Sequence, residues 1–316
     1  MYSYLLKRIF SIIPVLFVVL TVVFFVIHIT PGDPAAVMLG PDATAQQIEE
    51  LREQWGLNLP IYQQYMNWII AVLQGDLGVS YFMDQPVIEA IWSHIGPTFA
   101  LAVMAQILAL VIAIPLGILA AKYHGSIIDR MFMGVSLLGI CVPSFLLGLF
   151  FILLFAVQLK WLPVAGYQPI SAGLWEYLRH LIMPAVALGT MQAALLARMA
   201  RSSLLDTLST DFIKTARSKG VKERNVIYKH ALRNALLPLL TVIGQSFGGL
   251  ITGAVVTETI FNIPGIGQLI IDSIERRDFS VIQGAVLFVT VAFVFVNLIV
   301  DLLYGVIDPR VRLGRK

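Results

Sequence analysis

Charge is scarce in this sequence. Of 316 residues only 13% are Asp, Glu, Lys or Arg, while 58% are hydrophobic. A soluble domain carries about 25% charged residues. The shortfall argues against a water-soluble globule and for a chain that crosses a membrane several times. Cysteine is nearly absent: Cys141 stands alone inside an apolar run. That excludes an internal disulfide framework and a cysteine-based metal site. There is no Gly-rich phosphate loop closed by Lys-Ser/Thr, no HExxH and no GxSxG. The chain is therefore not expected to bind ATP in that manner itself, nor to show a metal or nucleophile–base constellation. The histidines at positions 28, 94, 124, 180 and 230 lack ligand spacing and are expected in loops and at interfaces.

What is abundant is apolar sequence in long runs. Six spans fit, at about 9–29, 98–121, 132–157, 181–201, 236–259 and 281–304. The first covers roughly 31 Å as a helix, about a bilayer core. It is too long for a signal-peptide core, and Thr30-Pro31-Gly32-Asp33-Pro34 is no cleavage site, so it is read as retained. Placing the N-terminus inside puts 17 of the 22 basic residues on the inner side, leaving Arg52, Lys160, Arg179, Arg276 and Arg277 outside. The positive-inside rule then sets both termini in the cytoplasm.

The spans lack charge at mid-membrane. Their acidic residues are Glu258, near the outer end of the fifth, and Asp301, near the inner end of the sixth. Proton- and sodium-driven carriers place ionisable groups deep in the membrane. A secondary carrier is therefore the weaker reading, and the energy is expected to come from elsewhere. The fifth span carries Gly244, Gly248, Gly249 and Gly253, two GxxxG pairs that admit a close helix neighbour. Gln245, Ser246 and Thr252 lie among them, with Gln106, Gln192 and Asn297 in other spans. Gln192, Gln245 and Glu258 are candidates for lining a path, with helix packing as the alternative.

The long loop 30–97 predicts helices of its own. Thr44 and Gln47 make a capping box ahead of Ile48, Leu51 and Trp55. A second helix begins near Pro60, Gly75-Asp76-Leu77-Gly78 is a turn, and 86–95 reads as an interfacial helix. The loop is either a docking surface for an external protein or a cap over the bundle. Aromatics of the second outer loop, Trp161, Tyr167, Trp175 and Tyr177, suit interfacial anchoring.

The inner loop 204–238 is the most polar stretch, with seven basic and three acidic residues. Asp211 begins a short helix, Phe212, Ile213 and Ala216 form its apolar side, and Gly220 supplies a left-handed stop. A second short helix follows from about Lys222, and Pro238 marks entry to the fifth span. Such a pair meets either a protein partner or anionic headgroups.

The order Phe212-Ile213-Lys214-Thr215-Ala216-Arg217-Ser218-Lys219-Gly220, then Asn234-Ala235-Leu236-Leu237-Pro238, resembles the EAA loop of bacterial ABC importer permeases. Lys214-Thr215-Ala216 replaces the common Glu-Ala-Ala, a form similar to the peptide/nickel branch. Pro31-Gly32-Asp33-Pro34, Gly75-Asp76-Leu77-Gly78, Trp161-Leu162-Pro163, Thr257-Glu258-Thr259-Ile260-Phe261, Pro264-Gly265-Ile266-Gly267, Arg277-Asp278 and Asp308-Pro309-Arg310 agree with that branch along nearly the whole chain. The resemblance implies an all-α polytopic membrane protein with six transmembrane helices, a type I, MetI-like permease fold and a helical extracytoplasmic loop. The expected organisation is 1–97 (first span and outer loop), 98–305 (permease core with the coupling loop 204–238) and 306–316 (cytoplasmic tail). It implies a homologous second permease forming a heterodimer, two cytoplasmic ATPase subunits that bind ATP and Mg, and an extracytoplasmic binding protein. Lipid surrounds it, and no nucleic acid is involved. The expected cargo is di- or oligopeptides, with nickel-chelate, glutathione or another small solute as alternatives. ATPase coupling is expected at Phe212, Ile213, Thr215, Ala216, Arg217 and Gly220, with Phe212 and Ile213 buried against the ATPase. No cofactor, metal or catalytic group is expected in this chain.

Overall fold

A computed structural model describes residues 2–29, 33–40, 42–80 and 82–307. Pro31 and Gly32 of one motif, Asp308-Pro309-Arg310 and the rest of the tail lie outside the described residues. The helices in order are α1 (Tyr2–Ile29), α2 (Pro34–Leu39), α3 (Ala45–Gln54), α4 (Ile61–Leu73), α5 (Val87–Lys122), α6 (Ile127–Cys141) and α7 (Ser144–Phe151), which continues π-helical over Ile152–Gln158. Next come α8 (Leu174–Leu208), α9 (Asp211–Ser218), the single turn α10 (Glu223–Asn225) and a π-helical stretch Val226–Ala231 that runs into α11 (Leu232–Phe261). The last two are α12 (Ile266–Glu275) and α13 (Phe279–Ile307). A two-residue hairpin, β1 (Val79–Ser80) with β2 (Gln85–Pro86), precedes α5.

Among the described residues, four helices are long and apolar enough to cross a membrane: Val87–Lys122, Leu174–Leu208, Pro238–Phe261 and Phe279–Val300. α1 contributes the shorter apolar stretch Ile12–Phe25. The span expected over 132–157 is broken in two. α6 and the helix after it form a pair bent by 96°. Val142 is extended (φ −84, ψ 119) and Pro143 caps the next helix. Proline clashes with an α-helical predecessor and brings no N–H, so the helix stops one residue before it. The helix expected over 86–95 is present from Val87, not as a separate element but as the first part of α5, continuous through Pro97. In a membrane helix, neighbouring groups re-satisfy the carbonyl that an internal proline frees.

The described residues group into two compact units. One comprises Pro97–Ile263 and the segment from Phe295 onward, and the other Tyr2–Gly96 with Pro264–Val294. In the first unit α8 is the centre of packing, touching α5, α6, α7 and α11. Its inner face is built from small residues: Ala185, Gly189, Ala193, Ala197 and Ala200. A Cβ on Gly189 would stand 2.7 Å from the Ala105 carbonyl oxygen, and one on Gly117 would stand 2.6 Å from Ala200 Cβ. Backbones this close substitute dispersion contact for the hydrophobic drive that lipid cannot supply.

In the second unit Val87, Ala90, Ile91, Ile266, Leu269, Val281 and Ala285 form a buried cluster. Ser80 Oγ donates to Asp278 Oδ2 at 2.6 Å, tying the hairpin to the start of α13. The Thr44–Gln47 capping box is present, with Thr44 Oγ1 accepting from the Gln47 N–H at 3.3 Å and Gln47 Oε1 accepting from the Thr44 N–H at 2.9 Å.

Candidate coupling site

α9 is a short amphipathic helix, and its two faces go to different places. Ile213 is fully buried, among Ile118 and Ala121 of α5, Leu204 of α8, Val226, Ile227 and Ala231 of the π-helical stretch, and Ala235 of α11. The expectation that Ile213 would bury against a partner is thereby corrected. It is an internal peg seating α9 on the ends of three long helices. Amphipathy shows that a face is covered, not by whom. Phe212 points the other way and is 46% exposed. Thr215, Arg217 and Gly220 are exposed, and Ala216 is half-buried.

The helix ends in a Schellman motif. The Gly220 N–H donates to the Arg217 carbonyl at 2.9 Å and the Val221 N–H to the Ala216 carbonyl at 3.2 Å. Gly220 has φ +75, the left-handed conformation that this position requires and that a side chain disfavours. Across that turn Arg217 donates to both Glu223 oxygens, Nη2 to Oε1 at 2.7 Å and Nε to Oε2 at 3.2 Å. The hydrogen bond to Arg217 holds the Glu223 carboxyl below its ordinary range, and the same bond raises Arg217. At the other end Thr215 Oγ1 donates to the Asp211 carbonyl at 3.0 Å and Lys214 Nζ pairs with Asp211 at 2.9 Å.

The expected second short helix is not separate. After the single turn α10, the π-helical stretch continues without a break into α11, and Pro238 lies inside that helix. α9 is thus a single short helix seated on long ones. Ser203 Oγ of α8 donates to the Ala235 carbonyl of α11 at 2.7 Å and is buried, which fastens the two supports together.

A polar cluster unforeseen from the sequence lies where α6 meets α8. Asp129 is 4% exposed and receives Arg201 Nε at 2.6 Å, Arg201 Nη2 at 2.8 Å and the Gly125 N–H at 2.9 Å. A buried carboxylate is tolerable only with such bidentate pairing and further donors. The partners are 72 positions apart, so no local spacing announces them. The small-residue face of α8 was missed as well, although its four-residue Ala/Gly rhythm was present to be read.

The path candidates fall into three settings. Gly244 is buried, and a Cβ there would overlap the Val300 side chain of α13. A Cβ on Gly249 would stand 3.6 Å from Gln192 Nε2, and one on Gly253 would stand 3.8 Å from Leu188 Cδ1 of α8. Gly248 is buried, Gln192 half-buried and Gln245 exposed. Glu258 is fully buried at the far end of α11. Gln106 of α5 and Ser246 of α11 meet at 3.1 Å in the buried interior. Among these residues Gln245 alone turns a polar side chain fully outward.

Residues 113–313 match the family described as binding-protein-dependent transport system inner membrane component. The chain belongs to that family. Residues 1–102 match the N-terminal region described for the same transport-system membrane components. Curated relatives of these permeases cover nearly the whole chain. A probable peptide ABC transporter permease from Sinorhizobium fredii is 42% identical over 98% of this chain and 99% of its own length. A glutathione transport system permease from Escherichia coli is 42% identical over 99% of each. The MetNI methionine ABC transporter in inward-facing conformations gives a chain with TM-score 0.57 at 18% identity, covering 69% of this chain and 96% of that one. A second crystal form gives 0.52 at 19%, over 70% and 94%. This places the permease fold. The chain is an inner-membrane permease subunit of an ABC importer.

Proposed function

We propose that this permease carries di- or oligopeptides inward, driven by ATP hydrolysis in separate subunits. The observation that carries the mechanism is the seating of α9: Ile213 is locked into the ends of α5, α8 and α11, while Phe212, Thr215 and Arg217 face outward. A force applied to the exposed face reaches three long helices at once, without chemistry in this chain. The force is supplied by two cytoplasmic ATPases that bind ATP and Mg and take α9 into a surface groove. A homologous second permease completes the path, and an external binding protein supplies cargo. Six crossings follow when α1 and the bent α6–α7 pair each count once, with both termini in the cytoplasm.

The peptide assignment is supported by both named relatives, since glutathione is itself a tripeptide. Glutathione is the second reading, and what the cognate binding protein retains on purification decides between them. The coupling assignment is tested by crosslinking. Cys141 is exposed and is first replaced, Cys141→Ser. Phe212→Cys and Ala216→Cys, introduced singly into the assembled complex, are expected to crosslink to the ATPase in membranes. No crosslink at any position from 212 to 220 would overturn the assignment.

A further inference from the structure

The second unit contains a cavity of about 870 Å³ that the coupling role does not use. All of its walls come from that unit: α1, the loop helices, and the turn between α12 and α13. Its volume suits a small ligand. The walls include Trp55, Trp68 and Phe279, with Arg276 and Arg277 among the polar groups.

The carboxylates facing it are already engaged. Asp278 is 5% exposed, accepting from Ser80 Oγ at 2.6 Å and from the Val281 N–H at 3.3 Å. Asp76 Oδ1 accepts from the Gly78 N–H at 2.8 Å. The cations are less engaged. Arg276 lies over the Phe82 ring at 4.2 Å, and Arg277 has no ion-pair partner among the described residues.

The backbone at Arg277 supplies a second, independent observation. α12 ends in a Schellman motif, with the Arg277 N–H on the Ile274 carbonyl at 3.2 Å and the Asp278 N–H on the Ser273 carbonyl at 2.8 Å. Arg277 therefore occupies the position where glycine is favoured, at φ +57. The corresponding position after α9 does hold glycine. A side chain kept at a left-handed site is a pointer to use. A cation at a helix C-terminus also suits the dipole, and lysine would preserve that part.

We infer that this cavity is an entry subsite for a short peptide, with Arg277 receiving the C-terminal carboxylate and the aromatic wall receiving the last side chain. Arginine offers the planar two-pronged donor that a carboxylate matches. The inference rests on the peptide reading and on the outer placement of this unit.

The test uses the full chain with its partner subunits in nanodiscs, without the binding protein. The probes are the dipeptide Leu-Phe and its C-terminal amide. The acid is expected to bind at least tenfold more tightly, and Arg277→Gly to erase the difference with an unchanged or raised melting temperature. Arg277→Lys should restore part of it. Equal binding of acid and amide, no binding at ~10 mM, or a melting temperature lowered by Arg277→Gly would overturn the subsite. Binding of the binding protein that depends on Arg277, with none of the dipeptide, would give the cavity to a protein loop and overturn it equally. Proteoliposome uptake of Leu-Phe with the binding protein present separates the two claims. Uptake indifferent to Arg277→Gly rejects the subsite alone, whereas no uptake by the unaltered complex rejects peptide import.

Discussion

Replacing Ile213 by alanine separates anchoring from contact. Ile213 is fully buried within its own chain, and its neighbour Phe212 is 46% exposed. Ile213→Ala removes three carbons, a transfer loss of about 2.4 kcal/mol at ~0.8 kcal/mol each. The surrounding side chains come from three long helices and collapse poorly onto a void, which moves the total toward the upper half of the ~2–5 kcal/mol range for such truncations. Phe212→Ala opens no internal void, so its effect on stability is expected within about 0.5 kcal/mol. The variants are to be compared in two assays on purified complex: thermal unfolding of the permease, and ATP-driven uptake into proteoliposomes. Ile213→Ala should lower the melting temperature by several degrees. Phe212→Ala should leave it in place and depress uptake. An Ile213→Ala protein that melts like the parent would refute the internal-peg argument. So would a Phe212→Ala protein that melts as low as Ile213→Ala.

Gly189→Leu should separate α5 from α8, because even a Cβ would stand 2.7 Å from the Ala105 carbonyl oxygen. Loss of folded protein from detergent extracts is expected, and a normal yield with unchanged melting would count against the close approach. The Arg217–Glu223 staple gives a pH dependence with a defined sign: Glu223 is depressed from its ordinary 4.5, so its contribution is present above that value and lost as acid titrates the folded group. Arg217, raised by the same bond, stays charged over that range. Both side chains are about half exposed, so screening limits the effect to ~0.2–1 kcal/mol. The protection of the Gly220 and Val221 amides, taken relative to the intrinsic exchange rate at each pH, should fall in acid and lose that step in Glu223→Gln; an identical acid step in the variant would contradict the assignment.

Much of the helical plan was legible. Gly220 after a short amphipathic run stated where α9 stops, and Thr44 with Gln47 stated where α3 starts. These are local rules, settled by backbone groups within a few residues of each other. The bend at Val142-Pro143 was equally local, but a long apolar run masked it, since hydropathy averages over a proline. What stayed hidden was of two kinds. Asp129 and Arg201 meet through the fold and carry no periodic signal. Ile213 advertises burial, yet a covered face reads the same whether its cover belongs to this chain or another. For that reason the residues proposed for coupling could be grouped by motif but not sorted into anchor and contact.

Between α9 and α11 the chain runs π-helical over Val226–Ala231, bonding five residues back instead of four. Compared with unbroken α-helix, that inserts one residue, and each residue of an α-helix turns the chain by about 100°. The stretch therefore fixes the angular phase of α11: which glycine meets Val300, which meets Leu188, and which way Gln245 looks. Glu258 lies roughly 40 Å farther along the axis. Loss of one residue here would act as a rotation instead of a shortening, misaiming every face of that helix by about 100° at once.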